Sequence, residues 1–167
     1  MSLSEHELYS DEIHPIDIVE SIAEHYDWEF DRVGDDQIAM AVEGQWKTYS
    51  ITLAWSGHDE VLRLIVTFDM DPPKARRPEL FEALNAANDS CWTGAFSYWE
   101  EQKLMVFKYG LVLSGGQTAS SDQINTLISN AVAASERFYP AFQLATWGEE
   151  PVARAMQVAI AEAYGRA

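Results

Sequence analysis

One cysteine, Cys91, in 167 residues excludes an internal disulfide and a cysteine-based zinc site. Basic residues are scarce as well: 11 Lys and Arg stand against 27 Asp and Glu, for a net charge of −16 and a pI near 4.4. A surface of that sign repels phosphate backbones, so nucleic acid is excluded as a partner. No stretch approaches the length and apolarity of a membrane span, and no apolar segment follows a basic start. The chain therefore reads as cytoplasmic, with no membrane role. Chemical motifs are equally thin. There is no GxSxG, and Ser114-Gly115-Gly116 lacks the lysine of a phosphate loop, so it reads as a plain turn. The four histidines, His6, His14, His25 and His58, are scattered without a partner at metal-ligand spacing. The acidic pairs Asp35-Asp36, Asp59-Glu60 and Glu100-Glu101 fall in expected turns, where solvated charge is the ordinary state. No catalytic residue, cofactor or metal site emerges, and the reading is of a non-enzyme.

What the sequence does carry is core. Hydrophobic content of 47% with 12% aromatics argues for a folded chain, and the length fits one domain. Residues 1–12 are polar and acidic and read as a disordered start. Pro15 opens a helix in which Ile18, Ile22 and Tyr26 line one side, with Val19 and Ala23 beside them. Four strands follow, over residues 28–33, 37–42, 46–55 and 61–70, joined by turns too short for parallel crossovers. A helix begins at Pro78, with Leu80, Leu84, Ala87 and Cys91 as its apolar stripe and Phe81 alongside. Cys91 on that stripe reads as a buried, inert thiol. A hairpin comes next, TGAFSYW and LMVFKYGLVL, turning at Glu100-Glu101-Gln102. Its odd positions from Met105 to Leu113 form the heavier apolar face and are expected to lie on the helix. Ser120 with Gln123 spells a capping box for a long helix that carries Pro140, expected as a kink. Pro151 opens a last helix lined by Val152, Met156, Ala159, Ile160 and Ala163.

The order is α-β-β-β-β-α-β-β-α-α, an α+β fold with an antiparallel sheet and helices packed on one face. One domain spans 13–147, and 148–167 forms a tail helix. The helix carrying LFEALNAANDS and the hairpin in which GAFSYW precedes LMVFKYGLVL make the chain resemble the YbjN family over about residues 16–144. That family comprises bacterial proteins labelled as sensory-transduction regulators, with a fold similar to type III secretion chaperones. The resemblance implies a compact, homodimeric domain that binds other proteins, and it brings no catalytic residues.

Three features stand out as candidate sites. Lys74, Arg76 and Arg77 form the only basic cluster, directly before a helix N-terminus. They are either an anion site or the partners of the protein's own carboxylates or of those of a second subunit. The aromatics Trp55, Trp92, Phe96, Tyr98 and Trp99 lie in or beside strands. They mark either an interaction surface or a face covered by a helix of the same chain. The tail helix carries a narrow, alanine-rich stripe of Val152, Met156 and Ile160, expected to dock on a second subunit or on a bare sheet face. The reading is a chaperone- or adaptor-like protein-binding module. Its competitor is a ligand-sensing regulator with a small anion in a cleft near Asn85, Asn88 and the 71–77 link; an enzyme ranks third.

Overall fold

The computed structural model describes residues 14–165; the stretch 1–12, expected to be disordered, lies outside the described residues. Helix α1 (Pro15–His25) is capped by His14, whose Nδ1 accepts from the Ile16 N–H at 3.1 Å. Its buried face is Ile16, Val19, Ile22 and Ala23. Tyr26, expected in the stripe, is instead the residue that closes the helix. It is 48% exposed, and its ring stacks on Trp28 with centroids 5.0 Å apart.

A meander of β1 (Glu29–Gly34), β2 (Gln37–Glu43), β3 (Thr48–Ser56) and β4 (Val61–Asp69) follows. A short 3-10 turn, Lys74–Arg76, leads into α2 (Arg77–Asp89). Cys91 lies past the end of α2, half-buried rather than on the expected stripe. Then come β5 (Ala95–Trp99), β6 (Leu104–Val112), α3 (Ser121–Thr146) and α4 (Val152–Gly165). The fold is α+β, with a six-stranded antiparallel sheet in the order β1-β2-β3-β4-β6-β5 and the helices on one face. The meander and the β5–β6 hairpin meet along β4 and β6, whose register runs from Val61↔Val112 to Asp69↔Leu104.

Period-two alternation sorts the two faces of the sheet. Ile38, Met40, Ile51, Leu53, Leu64, Val66 and Phe107 point at the helices and are buried. Each such side chain contributes about 2 kcal/mol by leaving water. The reverse face carries an in-register row of small and β-branched residues, Ala41, Ser50, Thr67, Val106 and Ser97, running across five strands. Val106 is fully buried although it lies outside the helix-side core.

Helix α3 starts on the expected capping box: Ser120 Oγ accepts the Gln123 N–H at 3.0 Å, and Gln123 Oε1 accepts the Ser120 N–H at 2.9 Å. It continues through Pro140 to Thr146, since burial of Phe138, Tyr139 and Phe142 on either side of the proline outweighs the lost backbone bond. Helix α4 packs back on α3 and α2, with Val152, Ala155, Met156 and Ala159 buried. Arg137 Nε of α3 donates to the Ala159 carbonyl at 3.3 Å.

Candidate functional site

The basic cluster before α2 is committed to the protein itself. Arg76 Nη2 donates to the Ala145 carbonyl at 2.7 Å, and its Nη1 lies 3.4 Å from Glu79. The guanidinium thus meets the carbonyl-rich end of α3, where positive charge is favoured. Arg77 Nη1 lies 3.6 Å from Glu100, and its guanidinium sits 6.0 Å from the Tyr98 ring centre. Lys74 is exposed on the outer side of the turn. The three residues are neighbours in sequence but do not converge on one cavity. Asn88, expected beside an anion, spends its whole amide on β5: Phe96 N–H donates to its Oδ1 at 2.6 Å, and its Nδ2 donates to the Phe96 carbonyl at 3.0 Å. Asn85 is exposed.

The expected aromatic surface divides. Phe96 is core, not surface, because β5 turns its even positions to the helices. Its ring meets Phe107, Phe138 and Phe142 edge-on at 4.9, 5.8 and 5.2 Å. Tyr98 is half-buried, and its hydroxyl donates to the Met70 carbonyl at 2.7 Å. Trp55 is half-buried beside His14, with centroids 6.5 Å apart. Trp92 and Trp99 are exposed, Trp92 at 96%. Val152 and Met156 of the tail helix are buried against their own chain rather than offered to a second subunit. The Ile160 side chain lies outside the described residues.

Concave regions lie elsewhere on the described surface. A cleft of about 410 Å³ lies where α3 ends over the β2–β3 and β5–β6 turns, lined by Lys47, Lys103, Asp71, Tyr139, Gln143 and Trp147. Lys47 Nζ stands 5.8 Å from the centre of the Tyr139 ring, whose hydroxyl accepts from Gln143 Nε2 at 2.6 Å. Lys103 is 3.5 Å from Asp71. Burial raises the Tyr139 phenol above its ordinary value. Trp147, 47% exposed, was missed in the sequence; the signal was its place just before Gly148, where a helix end leaves a large ring uncovered. A second groove of about 330 Å³ runs between β6 and the first half of α3. It continues into a third of about 300 Å³ beside Cys91 and Trp92. The Cys91 thiol is pushed up by burial, with Arg137 opposing more weakly, so it is a poor nucleophile at neutral pH.

One half-buried polar constellation is structural. Glu136 of α3 accepts from the Gln45 N–H at 2.9 Å, the Trp46 N–H at 3.3 Å and the Tyr49 hydroxyl at 2.5 Å. This clamps the β2–β3 turn to the helix. Burial, then the Glu136 carboxylate, drives the Tyr49 phenol far above its ordinary 10.0. Gly44 makes the approach possible, since a Cβ there would collide with the Glu136 carboxylate and the Tyr49 ring. Among the described residues, no group of three or more His, Cys, Asp and Glu converges as a metal set. Nor is any described helix long and apolar enough to cross a membrane.

The YbjN family model, described as "Putative bacterial sensory transduction regulator", matches residues 15–144. A crystal structure of YbjN from E. coli, described as "a putative transcription regulator", superposes with a TM-score of 0.53 at 10% identity. The match covers 76% of this chain and 93% of that one. The HopA1-SchA chaperone-effector complex contributes a chain with a TM-score of 0.47 at 13% identity, over 69% of this chain and 84% of its own length. Among curated proteins none matches.

Proposed function

Because the chain belongs to the YbjN family, whose model spans residues 15–144, we propose that it is a non-enzymatic protein-binding module, adaptor- or chaperone-like in a bacterial regulatory role. On this reading it is cytoplasmic and works as a homodimer. The observation that carries the proposal is the reverse face of the sheet. All described helices lie on the opposite side, and the in-register row Ala41, Ser50, Thr67 and Ser97 presents short side chains around the fully buried Val106. Such a face lets a partner approach closely and loses little side-chain entropy when covered. Trp99 at its margin supplies a large exposed ring of the kind enriched at interfaces. The tail helix packs on α2 and α3, on the other side of the sheet from that face.

The test is capture by the tagged full-length chain, with wild type compared with a Ser50→Arg, Thr67→Arg double variant, together with sedimentation velocity. A stoichiometric partner, or a dimer, that disappears in the variant while its melting temperature holds supports the reading. Partner and dimer surviving unchanged would sink the sheet face as the surface.

A second reading, a regulator that senses a small anion, is favoured by the 410 Å³ cleft and its two lysines rather than by Lys74, Arg76 and Arg77. Thermal stabilisation by inorganic phosphate, lost on Lys47→Ala and Lys103→Ala, would support it.

A further inference from the structure

Successive residues of a strand aim their backbone N–H and C=O alternately at the two neighbouring strands. In β6 the Leu113 N–H donates to the Glu60 carbonyl at 2.8 Å, on the β4 side, so odd-numbered residues face β4 and even-numbered ones face β5. Leu104, Val106 and Lys108 meet Trp99, Ser97 and Ala95 there. The ladder then stops. Gly94, at φ +134° and with no room for a Cβ against the Phe107 ring, starts β5 at Ala95, while β6 runs on to Val112. The backbone groups of Gly110 and Val112 therefore face no strand among the described residues.

The groove of about 330 Å³ lies beside this bare edge, on the helix side, with Tyr109 and Leu111 on one wall and Thr126 and Leu127 on the other. An extended chain laid in line with β5 would bond Gly110 and Val112, and its inward-facing side chain would enter that groove. Asp122 is the one charged residue among those lining it, in a chain of net charge −16. The other two exposed edges are protected. The β1 edge carries Glu29, Asp31 and a register shift between Arg32 and Gly34. On β5, Asn88 occupies the outward groups of Phe96.

We propose that the free edge of β6 at Gly110–Val112, with the Leu111–Leu127 groove beneath it, takes an extended partner segment by strand addition, apolar at alternate positions and bearing a Lys or Arg toward Asp122. The inference rests on the protein-binding reading and specifies a site for it. The occupant is a partner segment rather than a second copy: two β6 edges paired about a two-fold would leave both grooves empty and press two strongly acidic chains together.

The experiment selects a displayed library of random seven-residue peptides on the full chain, then measures the selected peptides by titration and by amide NMR. Val112→Pro removes an outward N–H at a residue 64% exposed, a substitution edge strands accept. Thr126→Tyr fills the groove from α3 and serves if the proline variant fails to fold. The expected result is enrichment of alternating apolar, Lys- or Arg-bearing sequences that shift the Gly110 and Val112 amides. They lose at least tenfold in affinity on either variant, and on N-methylation of alternate peptide nitrogens in one register only. Peptides that bind both variants as well as wild type overturn the proposal, as does a library that yields none. Peptides lost only on Ser50→Arg, Thr67→Arg overturn it too, yet leave the protein-binding reading standing. Shifts of the same amides with protein concentration alone overturn the choice of occupant in favour of a second copy.

Discussion

The strands β5 and β6 are partners in one hairpin, yet their backbones are treated in opposite ways. Along β5, the outward N–H and C=O of Phe96 are both bonded by the Asn88 amide, so a helix side chain stands where another strand would lie. Along the far end of β6, Gly110 and Val112 have no such substitute among the described residues. The β2–β3 turn belongs with β5: there Glu136 accepts the N–H groups of Gln45 and Trp46. The difference teaches where the fold closes its own backbone with helix side chains and where it leaves it available. Closure is built from single polar residues on α2 and α3, and it coincides with the aromatic core.

The comparison breaks most severely at the ring beneath the closed edge. Phe96→Ala empties the space among Phe107, Phe138 and Phe142 and should cost about 4 kcal/mol in urea unfolding, with the loss spread over both ends of the hairpin. Asn88→Ala strips two half-buried backbone groups of their partner. A loss of about 3 kcal/mol is expected, with faster hydrogen exchange at Phe96; unchanged exchange would show that the amide is not a true strand surrogate. Glu136→Ala leaves the buried Tyr49 hydroxyl unpaired and should cost about 2 kcal/mol. The same pair predicts a pH response. The folded protein favours the neutral phenol, so this contribution is complete below pH 10. It declines as pH rises above that, because the unfolded chain ionises first. Alkaline titration of wild type against Tyr49→Phe should show a flatter curve for the variant. Smallest of all is Val112→Pro, expected within about 1 kcal/mol of wild type, since it deletes a donor that bonds no strand. A loss comparable with that of Asn88→Ala would mean the β6 edge is closed after all.

Much of this architecture is legible in the sequence, and the parts that are not share a cause. Strand alternation, the Ser120–Gln123 capping box and the element order are local signals, and they survive folding intact. The partners of Arg76 and Arg77 are not local: a carbonyl on α3 and a carboxylate in the β5–β6 turn come near only after the chain has closed. The side taken by Phe96 is ambiguous in a strand of five residues, where both parities carry aromatics. Tyr26 fits a helical stripe by spacing and escapes it because the helix stops. The alanine-rich stripe of the tail helix suits close packing on any helix, and only the fold selects its own α2 and α3. Nothing in the sequence marks where β5 would start relative to β6, so the bare edge was unreadable.

The seam between β4 and β6 carries a consequence for how the chain folds. The four-strand meander and the β5–β6 hairpin are each made of contacts close in sequence, whereas the register from Val61↔Val112 to Asp69↔Leu104 bridges the whole α2 segment. Loop-closure entropy is therefore concentrated in that one pairing. Two quickly formed local units then wait on a single long-range encounter. Weakening the zipper there, as Ile65→Thr opposite Lys108 would, should slow refolding more than the same loss of stability placed between β1 and β2.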